Sequence, residues 1–262
     1  MEVEGKTVVV TGAASGIGRG LARRFGADGA RVVVAVDYDG TGAASVADEI
    51  RAGGAEAVAM TADVSVEDDV VAVIERCEAE LGAIDLFCSN AGILVIGGPE
   101  LPDDEWRRII DVNLMGHIYA ARHLVPRMLE RGGGYLLNTC SAAGLLTQIG
   151  SAPYSVTKHA ALAFAEWLAI TYGDRGLVVS ALCPQAVASK MTMGIDGGGV
   201  AGVDGMLTPE QVADAVIEGL ADERFLILPH PEVVEYFRRK ASDYDRWLAG
   251  MRRLQARFGI EM

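Results

Sequence analysis

Short β-branched apolar runs alternate along the chain with longer segments whose apolar residues recur every three or four positions. The runs cover 7–11, 31–36, 56–62, 84–89, 134–139, 177–182 and 225–228. Most are continuous rather than alternating, which marks strands covered on both faces and hence a parallel sheet. Between them, Ile17, Leu21, Ala22 and Phe25 share one helical face, as do Val70, Val73, Ile74 and Cys77. Repeated strand–helix–strand units predict right-handed crossovers and one α/β domain built on a doubly wound, seven-stranded parallel sheet.

Two segments break this rhythm. Residues 194–205 carry too many glycines for a regular helix, which predicts a loop insertion after the sixth strand. Met191, Met193 and Met206 flank it, so residues 190–207 read as a lid, mobile when empty and closing over bound ligands. Beyond the last strand, Val234, Phe237, Ala241, Tyr244 and Leu248 recur at helical spacing. They predict a long or broken C-terminal helical extension over 231–258, placed to brace the lid or a neighbouring subunit. No Pro- or Ser-rich linker and no repeat divides the chain.

Composition narrows the partners. Half of the 262 residues are apolar, and 23 Lys and Arg face 36 Asp and Glu, a net charge of −13. Such a chain can fold around a core, but its charge argues against nucleic acid or an anionic membrane as partner. One bound anion remains possible, because backbone N–H groups hold phosphate locally. No apolar stretch approaches a membrane span, and the charged Met1–Lys6 segment running into a strand has no signal-peptide character. Cys77, Cys88, Cys140 and Cys183 lack paired or metal-ligand spacing. They read as buried small apolar residues in a reduced, cytoplasmic protein without a metal.

The candidate chemistry starts at Thr11-Gly12-Ala13-Ala14-Ser15-Gly16-Ile17-Gly18, between the first strand and first helix. Gly12 permits a sharp turn, Gly16 lets backbone approach a pyrophosphate, and Gly18 lets helix and sheet pack closely. Asp37 follows Gly18 by 19 residues, at the end of the second strand. An acid there accepts both ribose hydroxyls of NAD and repels the 2′-phosphate of NADP. Two like charges about 4 Å apart cost roughly 4 kcal/mol at an effective dielectric of about 20. Tyr154 and Lys158 share a helical face just after Pro153. A lysine there is expected to lower the phenol pKa, and Ser141 ends the fifth strand 13 residues earlier.

Together these residues resemble the short-chain dehydrogenase/reductase family, in its single-domain form. The resemblance covers about 5–228 and rests on Thr11–Gly18, Asp63-Val64, Asn90-Ala91-Gly92, Asn113, Ser141 and Tyr154-x-x-x-Lys158. It implies a Rossmann-like sheet and Tyr154 as general acid/base. It implies that Ser141 binds the substrate oxygen and that Lys158 binds the nicotinamide ribose. Asn113 would hold a water linking Lys158 to solvent. Asp63 and Val64 would fix the adenine, Asn90 to Gly92 would line the ribose side, and Ser15 and Ile17 belong to the phosphate turn. The family's Pro-Gly after the sixth strand is Pro184-Gln185 here, with Ser189 in place of a Thr. Pro184, Val187 and Ser189 would reach the nicotinamide amide, and Gln185 narrows the substrate pocket, offers a hydrogen bond to substrate, or turns to solvent.

The expected activity is NAD-dependent interconversion of a secondary alcohol and a ketone. The alternatives are an NAD sensor without turnover and an NADP-dependent ketone reductase. The candidate substrate residues Leu94, Ala143, Gln148, Gln185 and Met193 include no Arg, which points to an uncharged, fairly hydrophobic substrate. His117 and His123 read as surface or interface residues, and His230 as a turn residue. Apolar residues on several faces of 111–130 and 155–172, among them Ala160, Leu162, Phe164, Trp167 and Leu168, predict a homo-oligomer, with a tetramer favoured.

Overall fold

The computed structural model describes residues 1–260, apart from the side chain of Asp196. Its sheet has seven parallel strands: β1 (Thr7–Thr11), β2 (Val32–Asp37), β3 (Ala57–Thr61), β4 (Leu86–Ser89), β5 (Gly134–Thr139), β6 (Leu177–Leu182) and β7 (Leu226–Ile227). They lie in the order β3-β2-β1-β4-β5-β6-β7. The order reverses between β1 and β4, and ligands of open α/β sheets bind at such a switch point, beyond the carboxyl ends of the strands.

The strands read as continuous apolar runs because both faces are covered. Val8 and Val10 pack with Leu21 and Phe25 of α1 (Gly16–Ala27), on the side that also holds α2 (Gly40–Ala52) and α8 (Pro209–Ala221). Val9, between them, points the other way. There it meets Val73 and Ile74 of α3 (Glu67–Leu81), Leu124 of α5 (Gly116–Glu130) and Leu162 of α7 (Ala152–Tyr172), which follows the one-turn α6 (Ala143–Leu146). This is the two-residue alternation of a strand, with both faces apolar.

The predicted strands hold, with small changes at their ends. The last one is halved, to Leu226 and Ile227, which pair with Ala181 and Leu182 at the sheet edge. The C-terminal extension is broken in two. α9 (Glu232–Ser242) ends at Asp243, whose extended backbone (φ −154°) stops the helix and whose carboxylate accepts the Arg246 N–H to cap α10 (Tyr244–Arg257). The glycine segment forms 3-10 turns at Lys190–Thr192 and Asp196–Gly202, with Gly197, Gly198 and Gly199 at positive φ. Among the described residues no helix is long and apolar enough to cross a membrane, and no His, Cys, Asp and Glu cluster could hold a metal.

Candidate active site

At the β1–α1 turn the glycine positions are dictated by space. Gly12 has φ +67°, and a Cβ there would stand 2.8 Å from Ala91 Cα. Gly16 has φ +53°, and its Cβ would stand 3.0 Å from Ser189 Cβ. Gly18 packs onto the Gly12 carbonyl and the Asn90 carboxamide. The turn thus presents bare backbone to the α1 N-terminus, where Ser15 spends no side-chain bond on capping. Free N–H groups and an unspent hydroxyl suit a pyrophosphate.

Asn90 ties three strand ends together through its side chain. Its Nδ2 donates to Thr11 O (2.9 Å) and its Oδ1 accepts from Thr139 Oγ1 (3.0 Å). Its N–H and that of Ala91 donate to Thr11 Oγ1. The ends of β1, β4 and β5 are pinned together by this one side chain. Gly92 lies over the next layer, where a Cβ would stand 3.3 Å from Asn113 Oδ1 and 3.5 Å from Lys158 Nζ.

Asp37 ends β2, buried, with Oδ2 accepting the Ala14 N–H (2.9 Å) and Oδ1 the Asp39 N–H (3.0 Å). These bonds fix the carboxylate beside the phosphate turn and leave lone pairs for further donors. The structure also brings Lys190 of the glycine segment to 4.0 Å from Asp39, a contact invisible in sequence. Asp63 is exposed, with Oδ1 taken by the N–H and hydroxyl of Ser65 (2.9 and 2.7 Å), and Val64 packs over Gly116. Pro184 O accepts the Ala142 N–H (2.9 Å), Val187 pairs with Leu207, and Ser189 opens the first 3-10 turn.

Tyr154 stands in the first turn of α7, which Ser151 caps by accepting the Tyr154 N–H (3.3 Å). One turn on, buried Lys158 donates to Thr139 O (2.9 Å) and its ammonium lies 5.7 Å from the Tyr154 ring centre. Ser141, off the end of β5, accepts the Ala143 N–H (3.0 Å) and lies close enough to the phenol to favour its ionised form. Burial nevertheless dominates. It pushes the Tyr154 phenol above its ordinary value, with Ser141 acting the other way, and it lowers the Lys158 ammonium. The expected depression of the phenol pKa is therefore corrected for the protein alone, because the cost of ionising a buried phenol exceeds what its neighbours return. Ser141→Ala should raise the phenol further and shift the alkaline rise of alcohol oxidation to higher pH. A pH–rate profile checks this, and an unmoved midpoint would contradict it.

Asn113 is fully buried in a π-turn, Asp111–Met115, that joins α4 (Asp103–Ile110) to α5. The π-turn inserts a local irregularity of the kind found at functional sites. The carboxamide accepts the Ile93 N–H (2.8 Å) and donates to Ile93 O (2.9 Å) and Thr157 Oγ1 (3.3 Å). Both Nδ2 hydrogens and one Oδ1 lone pair are thus spent in holding the 90–93 segment against α7.

Ser141 and Tyr154 open onto a cleft of about 740 Å³, within the range that encloses small ligands. Leu94, Ala143, Gln148 and Gln185 line it as expected, and Met193 does not. Met193 follows a 3-10 turn and points outward, 75% exposed, while Met191 and Ile195 take its place in the wall. Gln185 faces inward: its Oε1 is buried without a partner, and its backbone N–H donates to His230 Nδ1 (3.2 Å). The glycine segment covers one side of the cleft. It is tied down by Ala186 N–H to Ala201 O (3.0 Å), Leu207 N–H to Ala186 O (3.1 Å) and Tyr236 Oη to Asp204 Oδ1 (2.8 Å).

The sequence reasoning missed the opposite wall. α9 and α10 fold back over the site of their own chain and bring Arg239, Arg246, Arg253 and Arg257 to the cleft. The ground for expecting an uncharged substrate, a pocket free of Arg, is thereby removed. His117 also departs from its surface reading. It is buried with Nδ1 2.9 Å from Asn138 Oδ1, and desolvation lowers its pKa to about 4. His123 is half-buried against Glu67 (2.8 Å).

A sequence profile of the short chain dehydrogenase family matches residues 6–197. The chain is 39% identical over 236 residues to 1-deoxy-11-beta-hydroxypentalenate dehydrogenase of Streptomyces exfoliatus, covering 88% of this chain and 86% of the relative. It is 33% identical to cyclohexanol dehydrogenase of an Acinetobacter species, covering 88% and 93%. Among solved structures, a short chain dehydrogenase/reductase from Burkholderia phymatum in complex with NAD superposes with a TM-score of 0.86. It has 29% identity, over 94% of this chain and 96% of that one. A short-chain dehydrogenase from Sphingobium yanoikuyae in complex with NADPH gives 0.79 at 27% identity, over 92% and 93%.

Proposed function

The chain belongs to the short chain dehydrogenase family, and from that premise we propose that it oxidises an alicyclic secondary alcohol to the ketone, reversibly, with NAD. The observation that carries this reading is the meeting of Ser141 and Tyr154 on one apolar cleft, with Lys158 buried directly behind the phenol. The names of the relatives, a hydroxypentalenate and a cyclohexanol dehydrogenase, agree with an alcohol on a ring.

The residues at the switch point fit a dinucleotide. Gly12 and Gly16 leave open backbone where a side chain would collide, the α1 N-terminus is uncapped by Ser15, and Asp37 is held at the end of β2. When bound, the nucleotide supplies the hydride acceptor. The chain's own residues do the rest. Ser141 Oγ holds the substrate hydroxyl, and the Tyr154 phenolate takes its proton as the carbonyl forms. Lys158 favours the ionised phenol and anchors the site to Thr139. The glycine segment and α9–α10 keep water from the cleft. A nucleotide sensor would need no hydroxyl and phenol converging on a substrate-sized cleft.

NAD rather than NADP follows from Asp37. Asp37→Ala should improve kcat/KM with NADP by about tenfold or more, the order expected when one close like charge is removed, with a smaller change for NAD. Steady-state kinetics with both nucleotides check this; a wild-type protein that already prefers NADP would overturn it.

A homo-oligomer is the second part of the reading. Along α7, Leu162 and Leu168 are buried, while Val156, Trp167 and Ile170 are exposed, Ile170 at 84%. That outward apolar face is unusual for a surface helix. Light scattering should give a multiple of the 27.6 kDa chain mass, a tetramer for preference, at micromolar concentration; a monomer would contradict it.

A further inference from the structure

We propose that the substrate carries a carboxylate remote from the reacting carbon, and that Arg246, Arg253 and Arg257 of α10 select it at the mouth of the cleft. The inference rests on the dehydrogenase reading of the same site and adds the substrate's charge.

The three arginines lie seven and four residues apart, on the helix face that also presents Trp247, Met251 and Leu254 to the cleft. The pattern is an amphipathic stripe with guanidinium groups along its edge, where long stems cover apolar surface and charged heads reach water. Among the described residues none of the three forms an ion pair, whereas Arg239 on the same wall is paired with Glu235 at 2.9 Å. The single carboxylate lining the described cleft is Asp243, which is occupied in capping α10 through the Arg246 N–H. A chain with net charge −13 thus concentrates on one ligand-sized opening three cations that have no ion-pair partner among the described residues.

Burial gives the cleft a direction. Ser141, Ala142 and Ala143 at the inner end are buried; Arg246, Arg253 and Arg257 at the outer end are exposed. Between them run apolar walls that include Leu94, Leu146, Ile195 and Val203. A molecule filling this space would put its hydroxyl at Ser141 and Tyr154, its rings on the apolar walls and an anionic group among the guanidinium forks. Arginine's planar donors match a carboxylate in pairs, and like charges lining a low-dielectric cleft focus their field on it.

The test compares 4-(4-hydroxycyclohexyl)benzoate with its methyl ester as substrates, and measures binding of the unreactive 4-cyclohexylbenzoate and its ester by calorimetry. Exposed charge contacts are individually weak, so three together are expected to favour the acid by about tenfold in kcat/KM. The preference should shrink toward unity at about 0.5 M salt, where screening is strong. In the triple variant Arg246→Gln, Arg253→Gln, Arg257→Gln, the preference should vanish through KM with kcat unchanged. The ester's kinetics and the circular dichroism spectrum should stay those of the wild type. Equal use of acid and ester by the wild type, or an acid preference that survives the triple variant, overturns the inference while leaving the dehydrogenase reading intact. Arginine-dependent binding of 4-cyclohexylbenzoate without oxidation of either alcohol sustains the anion site and counts against the dehydrogenase reading.

Discussion

Tyr154→Phe should lower alcohol oxidation by at least about a hundredfold, the contribution of a positioned acid/base group, while NAD binding stays close to that of the wild type. The substitution is conservative in every respect but one. Phenylalanine keeps the ring beside the Lys158 ammonium, 5.7 Å from the ring centre, and keeps the α7 N–H bonded to Ser151. Among the described residues the Tyr154 hydroxyl holds no main-chain hydrogen bond whose loss would disturb the fold. What disappears is the single group in the cleft placed to exchange a proton with a substrate oxygen at Ser141. Turnover read by nicotinamide absorbance, and NAD binding read by intrinsic fluorescence, separate the two effects. A variant that loses NAD binding in parallel with turnover would mean the residue shapes the cradle instead.

Gly18→Ala is expected to have the second-largest effect, on stability and nucleotide affinity together. An added Cβ would overlap the Gly12 carbonyl oxygen and stand 2.6 Å from Asn90 Nδ2. Neither neighbour can yield. Gly12 is fixed in a left-handed turn against Ala91, and Asn90 is tied to both Thr11 and Thr139. Forcing a methyl into such a site costs about 1–3 kcal/mol and moves the turn that presents N–H groups to phosphate. The melting temperature should fall and the Kd for NAD rise. Gly173→Ala is the control. It follows α7 with φ −55° and has no atom within 4 Å of its Cβ position, so it should be neutral or slightly stabilising. Equal behaviour of the two variants would show that close packing at Gly18 does not shape the nucleotide site.

The strands and the Gly12–Gly18 turn could be read from sequence because their constraints are local. A strand buried on both faces must be apolar throughout, and a backbone that touches a carbonyl must lack a Cβ. Asn113 could be singled out by motif, but not the π-turn that buries it or the Ile93 backbone that occupies it. Its partners come from another loop. The ionisation of Tyr154 is not legible in sequence for a similar reason: Lys158 is visible four residues away, whereas burial is a property of the assembled fold. The stripe formed by Arg246, Arg253 and Arg257 was written plainly at helical spacing. Nothing local says that α10 turns back over the ends of β5 and β6, so the stripe could not be connected to the cleft. Met191 and Met193 lie two residues apart, and the 3-10 turn that holds Met191 and ends at Met193 decides which one faces the cleft.

The central claim is alcohol oxidation with NAD at the Ser141–Tyr154 end of this cleft. It is tested most directly by incubating the purified protein with NAD and a panel of alicyclic secondary alcohols, following reduced nicotinamide by absorbance and the ketone by mass spectrometry. The account predicts equal amounts of the two products, weak support from NADP, and loss of both products in Tyr154→Phe. Saturable NAD binding with no ketone from any member of the panel, or undiminished ketone formation by Tyr154→Phe, would contradict it.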